Sequence, residues 1–159
     1  IMIAEHISGS VEGFAQLMND TANNLGATNS HFTNPHGLTD PNHYTTAYDL
    51  YLISNEAMKY DKFLELIHTA TYTSTYHDKN NNEKSIEIQN SNAYIKGEAF
   101  APENVTVIGG KTGTTNAAGN CLILYSRDKS GNPYISIVMQ SKDRTVMYTE
   151  MTDLLNEIS

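Results

Sequence analysis

The stretch Val107-Ile108-Gly109-Gly110-Lys111-Thr112-Gly113-Thr114-Thr115 reads as a strand on the rim of a sheet. An apolar run ends in two glycines, and a cation, a hydroxyl and a third glycine follow at once. Glycines in a strand leave the backbone open to close approach by a ligand. Lys111 and Thr112 together offer a carboxylate an ammonium group and a hydroxyl donor. The same letters, Gly110-Lys111-Thr112, also spell the end of a phosphate-binding loop, which needs a glycine five residues before its last one. Val105 stands there, and that reading fails.

Working outward, the segments around this strand also read as strands. Thr106–Thr115, Gly119–Arg127 and Tyr134–Gln140 follow one another, and Ser130-Gly131-Asn132-Pro133 turns the second into the third. Upstream, Thr69–Tyr76 and Glu83–Gln89 alternate, with Asn80-Asn81-Asn82 as a hairpin turn. The region from Thr145 to Ile158 repeats Met147, Met151, Leu154, Leu155 and Ile158 at helical spacing. Sequential hairpin strands with a covering helix imply an antiparallel sheet in an α+β domain.

The first half, residues 1–68, reads as helical and residues 69–159 as mainly strands with a C-terminal helix, within one domain. Ile1–Ile7 looks like the tail of a helix. Ser10 caps a second helix, Val11–Leu25, with Phe14, Leu17, Met18 and Leu25 on one face and Gly26 as its stop. Thr46 and Asp49 form a start resembling a capping box, and the helix they open runs to about Lys59 with Leu50, Ile53, Ser54 and Ala57 inward. Asp49 is read as a helix-start acid rather than a general base. A short helix spans Phe63–His68.

Composition excludes several function classes. The 159 residues carry a formal net charge of −8, from 10 Lys and Arg against 18 Asp and Glu. With no basic block, nucleic acid and anionic lipid are poor partners. The single cysteine, Cys121, excludes an internal disulfide and a cysteine-based zinc cluster. Its apolar neighbours Leu122, Ile123 and Leu124 predict a buried structural thiol. His31, His36 and His43 crowd one loop without a helical His pair or an acid cluster, so hydrogen-bonding loop histidines are expected and no metal or cofactor. No Gly-x-Gly-x-x-Gly supports a dinucleotide.

Five collinear blocks carry a resemblance. They are Ala4-Glu5-His6-Ile7-Ser8-Gly9-Ser10, then His31-Phe32-Thr33-Asn34-Pro35-His36-Gly37-Leu38, and His43-Tyr44-Thr45-Thr46-Ala47-Tyr48-Asp49-Leu50. Asn90-Ser91-Asn92 and Gly110–Gly119, which contains Lys111-Thr112-Gly113, complete the set. Together they resemble the serine D-alanyl-D-alanine carboxypeptidases, low-molecular-mass penicillin-binding proteins of the bacterial cell wall. The resemblance implies a β-lactamase/transpeptidase-like fold, here partial, and an extracytoplasmic setting. It implies removal of the terminal D-alanine of peptidoglycan stem peptides through an acyl-enzyme, and binding of β-lactams by the intact enzyme. By the same resemblance Lys111 supplies positive charge near the substrate carboxylate. Thr112 and Thr114 hold that carboxylate, the Thr114 backbone N–H is an oxyanion donor, and the peptide adds along the Lys111–Gly113 strand. Arg144 stands where such enzymes often have an arginine near the carboxylate.

The family mechanism also needs a Ser-x-x-Lys helix and a Ser-x-Asn loop. Ser126-Arg127-Asp128-Lys129 and Ser130-Gly131-Asn132 supply both spellings, but in the turn between two strands. There no helical turn brings a lysine amine to a serine oxygen, and such polar letters suit an exposed turn. The resemblance places the true motifs upstream of Ile1. The expectation is therefore the C-terminal part of a catalytic domain, inactive alone, with an open edge at Tyr134–Gln140 and an uncovered apolar sheet face. Such a chain should self-associate or pair with an N-terminal half. The competing readings are a non-catalytic peptide-binding or structural remnant and, less well supported, a class A β-lactamase relative.

Overall fold

The computed structural model describes residues 1–158. Helix starts follow the caps that the sequence supplies. Helix α1 (Met2–Ser8) stops at Gly9, whose φ of 76° favours a residue without a Cβ. Ser10 Oγ accepts the Gly13 N–H to open α2 (Val11–Asn24), and Thr46 Oγ1 accepts the Asp49 N–H to open α3 (Ala47–Ala57). Helix α4 (Asp61–His68) leads into strands β1 (Thr71–His77) and β2 (Glu83–Gln89). After a one-turn helix, α5 (Ala93–Lys96), come β3 (Val105–Thr115), β4 (Gly119–Asp128), β5 (Pro133–Ser141) and helix α6 (Arg144–Asn156).

Two expectations need correction. The strands form two sheets rather than one: a β1–β2 hairpin, and an antiparallel sheet in the order β3-β4-β5. The cause lies at Asn90. Its backbone N–H donates to Ala70 O and its side chain to Thr69 O, which closes the hairpin, and Asn92 then caps α5. The chain thus turns away before it can join β3. Helix α2 also differs. Its buried residues are Ala15 and Ala22, whereas Leu17 is exposed, and the helix is tied to the following loop by hydrogen bonds. Asn19 exchanges two with the Phe32 backbone, at 2.8 and 2.7 Å.

The main core lies between α6 and one face of the larger sheet. Met147, Met151 and Leu155 pack on Leu122, Leu124 and Val138, with Tyr94 and Val105 at the edge. Each such fully buried side chain contributes roughly 1.5–3 kcal/mol. The opposite face is only half covered. Ile67 of α4 packs on Gly109, Phe63 meets Tyr125 edge-on at 5.9 Å, and Tyr125 hydrogen-bonds Ser54 of α3. Beyond them this face is open around Cys121 and Met139, so the uncovered face expected from sequence is confined to one end. Strand β5 pairs with β4 alone, leaving its outer edge free. No helix among the described residues is long and apolar enough to cross a membrane.

Candidate functional site

Strand β3 is the other edge of the larger sheet, since among the described residues it pairs with β4 alone. Its register sets Lys111 opposite Ile123, Thr112 opposite Leu122, Gly113 opposite Cys121 and Thr114 opposite Asn120. Cross-strand partners share a face. Thr112 and Thr114 therefore lie on the α6 side, with the buried Leu122, while Lys111 and Gly113 lie on the side of Cys121.

Glycine is required at two positions before the motif and open at a third within it. A Cβ at Gly110 would sit 2.4 Å from Ile123 O, and one at Gly109 would sit 2.7 Å from Ile67 Cγ1. At Gly113 nothing lies within 4 Å of such a Cβ. The first two glycines seat the strand against its neighbours, and the third leaves accessible backbone beside Lys111. The Lys111 ammonium donates to Thr112 O, and Thr114 Oγ1 donates to Asn120 Oδ1 at 3.1 Å.

On the Thr112 side, the loop between β2 and α5 closes in. Ser91 Oγ stands 2.6 Å from Thr112 Oγ1. The Ser91 carbonyl accepts from Arg144 Nη2 at 2.9 Å and from the Tyr148 hydroxyl at 3.4 Å. The Arg144 guanidinium also lies over the Tyr148 ring, 5.4 Å from its centroid. Thr112 and Arg144 are thus linked through one residue, Ser91. The sequence alone gives Ser91 and Tyr148 no role and leaves α5 unpredicted. The tandem asparagines were the available signal, because an Asn side chain beside an apolar tetrad is a cap.

On the Gly113 side lies a cleft of about 440 Å³. Phe32, Leu38, His43, Tyr44 and Leu50 line one wall, and Gly113–Thr115, Cys121 and Met139 the other. Cys121 is half-buried here rather than fully buried, its Sγ 3.4 Å from Ala118 O. The reason is register: Leu122 and Leu124 face α6, which turns Cys121 and Ile123 the other way. The loop histidines are held by hydrogen bonds. His31 Nδ1 meets Asn42 O, and His43 Nδ1 accepts the Thr33 N–H at 3.1 Å. Burial lowers the His43 pKa, and His31 and His36 lower it further against the opposing pull of Asp40. No group of three or more His, Cys, Asp or Glu among the described residues could hold a metal.

Neither motif spelling adopts a helix, and the first is not in the turn as expected: Ser126-Arg127-Asp128 belong to the end of β4, and only Lys129 lies in the turn. Ser126 is buried within β4. Asp128 accepts the Ser130 and Asn132 N–H groups at 2.8 and 2.9 Å, which makes Ser130-Gly131-Asn132 a turn.

Known proteins are similar to this chain in sequence and fold. The family described as D-alanyl-D-alanine carboxypeptidase matches residues 1–143. D-alanyl-D-alanine carboxypeptidase DacF of Bacillus subtilis (strain 168) is 37% identical over 158 residues, covering 96% of this chain and 37% of that protein. DacA of Haemophilus influenzae is 32% identical over 139 residues, covering 87% of this chain and 32% of that protein. The crystal structure of the Streptomyces DD-transpeptidase (strain K15) superposes with a TM-score of 0.82 at 28% identity, covering 92% of this chain and 53% of that one. The chain thus spans about a third of the length of these curated relatives. A match over residues 1–143 takes in the capped helices, the half-covered sheet and the Lys111–Gly113 edge strand alike, and it places the chain in the D-alanyl-D-alanine carboxypeptidase family.

Proposed function

We propose that this chain supplies the substrate-binding edge of a serine D-alanyl-D-alanine carboxypeptidase acting on peptidoglycan stem peptides in the cell envelope. The observation that carries the reading is the free edge of β3, with Lys111-Thr112-Gly113 on it and open space at Gly113. An extended peptide adds to such an edge by main-chain hydrogen bonds. Thr112 and Arg144 receive the terminal carboxylate, Lys111 contributes positive charge on the other face, and the Thr114 N–H stabilises the oxyanion. Thr114 Oγ1 joins the carboxylate donors after leaving Asn120.

Among the described residues the Ser-x-x-Lys and Ser-x-Asn spellings lie in β4 and its following turn, where neither sets a lysine amine beside a serine hydroxyl by a turn of helix. The apolar cleft between Leu38, Leu50 and Met139 is the surface on which the rest of a catalytic domain, or a second copy, would bury apolar area. The 159-residue chain alone should therefore bind without acylation.

The test is a titration with an N-acylated tripeptide ending in D-Ala-D-Ala, followed through the amide resonances of Gly113 and Thr114. Saturable shifts are expected, weakened by Lys111→Ala and Arg144→Ala and absent with the L-Ala-L-Ala peptide. Equal binding of both stereoisomers would overturn the reading. Stoichiometric labelling by a fluorescent penicillin would overturn the claim that the chain does not acylate.

A further inference from the structure

Three features of the β2–α5 loop converge on Ser91. The residues on either side are immobilised: Asn90 by Thr69 O and Ala70 O, and Asn92, fully buried, by the Tyr94 N–H that its Oδ1 accepts at 3.1 Å. The Ser91 carbonyl is occupied by Arg144 and Tyr148, and the Tyr148 hydroxyl oxygen also accepts the Ala93 N–H at 2.8 Å. The Ser91 hydroxyl is left exposed, 2.6 Å from Thr112 Oγ1. The Ser91 backbone is thus tied at several points, which sets its hydroxyl within reach of Thr112.

We propose that Ser91 is a specificity-determining positioning residue. Its hydroxyl holds the Thr112 side chain in one χ1 rotamer, from which Oγ1 can donate to a ligand, and its carbonyl holds the Arg144 guanidinium in register with it. A hydroxyl pair this close needs one donor and one acceptor. A carboxylate can only accept, so when one arrives Thr112 must donate to it. Ser91 then donates to Thr112 Oγ1, and the relay runs from Ser91 through Thr112 to the ligand. The arrangement favours a free carboxylate over a C-terminal amide, which has a donor as well as an acceptor and no charge for Arg144. Proton positions change but no covalent bond is made.

The inference rests on the substrate reading above for its ligand, but not for its structural core, and the experiment separates the two. In the 159-residue chain, the Thr112 χ1 couplings are measured by NMR for the native sequence, Ser91→Ala and Ser91→Thr. One rotamer is expected in the native chain, averaging in Ser91→Ala, and a single rotamer again in Ser91→Thr. The D-Ala-D-Ala tripeptide and its C-terminal amide are then titrated. Ser91→Ala is expected to weaken the carboxylate form by about three- to tenfold and the amide form by less, with Ser91→Thr restoring the difference. A Thr112 rotamer that stays single in Ser91→Ala, or equal losses for acid and amide, would overturn the proposal. If the native chain binds neither peptide, the substrate reading falls, and the couplings alone decide whether Ser91 positions Thr112.

Discussion

Asp128 and Asn132 bracket the β4–β5 turn: the Asp128 carboxylate accepts the Asn132 backbone N–H at 2.9 Å and its side-chain amide at 2.7 Å. Asp78 and Asn82 bracket the β1–β2 turn in the same way, at 3.0 and 3.4 Å. Each turn also has a left-handed residue before its asparagine, Gly131 with φ 86° and Asn81 with φ 62°. Two unlike sequences, Lys-Ser-Gly and Lys-Asn-Asn, therefore close one turn geometry, and the Ser130-Gly131-Asn132 spelling follows from it.

These brackets set an acid dependence. Hydrogen bonds from Asn132, aided by Ser130 and Tyr134, lower the Asp128 pKa, and backbone hydrogen bonds from Asn82 and Asn80 lower that of Asp78. A carboxyl whose folded pKa is depressed stabilises the fold above its unfolded pKa and loses that contribution as pH falls through the folded value. Both brackets should thus contribute in full above the ordinary carboxyl value of 3.8 and lose that contribution only as pH falls through the lower folded values. Carboxyl ¹³C shifts should give midpoints under 3.8 for both residues, with the Asn82 and Asn132 side-chain amides collapsing in step. Midpoints at or above that value would contradict the account.

The glycines of β3 should separate stability from binding. Gly110→Ala puts a methyl against the Ile123 carbonyl and should cost about 1–3 kcal/mol in denaturant unfolding. Gly113→Ala meets open space and should leave stability within roughly 0.5 kcal/mol. Its loss should appear in peptide titration instead, because the methyl occupies the approach to the edge. Equal destabilisation by the two would show that the strand is seated differently.

Asp49 should prove a structural acid. It is 1% exposed and its Oδ2 accepts the Asn29 N–H and the Ser30 hydroxyl, both at 2.7 Å. Asp49→Ala leaves the Asn29 N–H without its acceptor and should cost about 1–3 kcal/mol. Peptide affinity measured well below the unfolding midpoint should not change; a selective loss of affinity would assign Asp49 to the site.

The larger sheet should depend on α6. Met151→Ala and Leu122→Ala empty positions with no solvent exposure and should each cost about 2–5 kcal/mol. Leu17→Ala, on the exposed side of α2, should cost far less. Chemical denaturation with matched m-values tests all three.

The helix starts at Ser10 and Thr46 and every strand of the larger sheet were legible, because caps and alternation are local signals. The division into two sheets was not. It depends on Asn90 reaching Thr69 and Ala70 some twenty residues back, and no periodicity encodes such a contact. The same holds for Cys121, whose apolar neighbours suggested burial although alternation turned it to the open face. At the candidate site, the proposal for Lys111, Thr112 and Gly113 starts from their residue types and order in the sequence. Ser91 and Tyr148 offer no such start, since their roles come from what the fold brings beside Thr112 and Arg144.

An unpaired strand edge recognises main chain, and main chain is nearly the same for every residue. A guest lying along β3 would therefore be identified by its direction and by where it stops, with little regard to its side chains. On the proposed reading, the donors gathered beside Thr112 would make the edge a ruler with a stop, finding the last residue of a guest chain rather than reading its sequence.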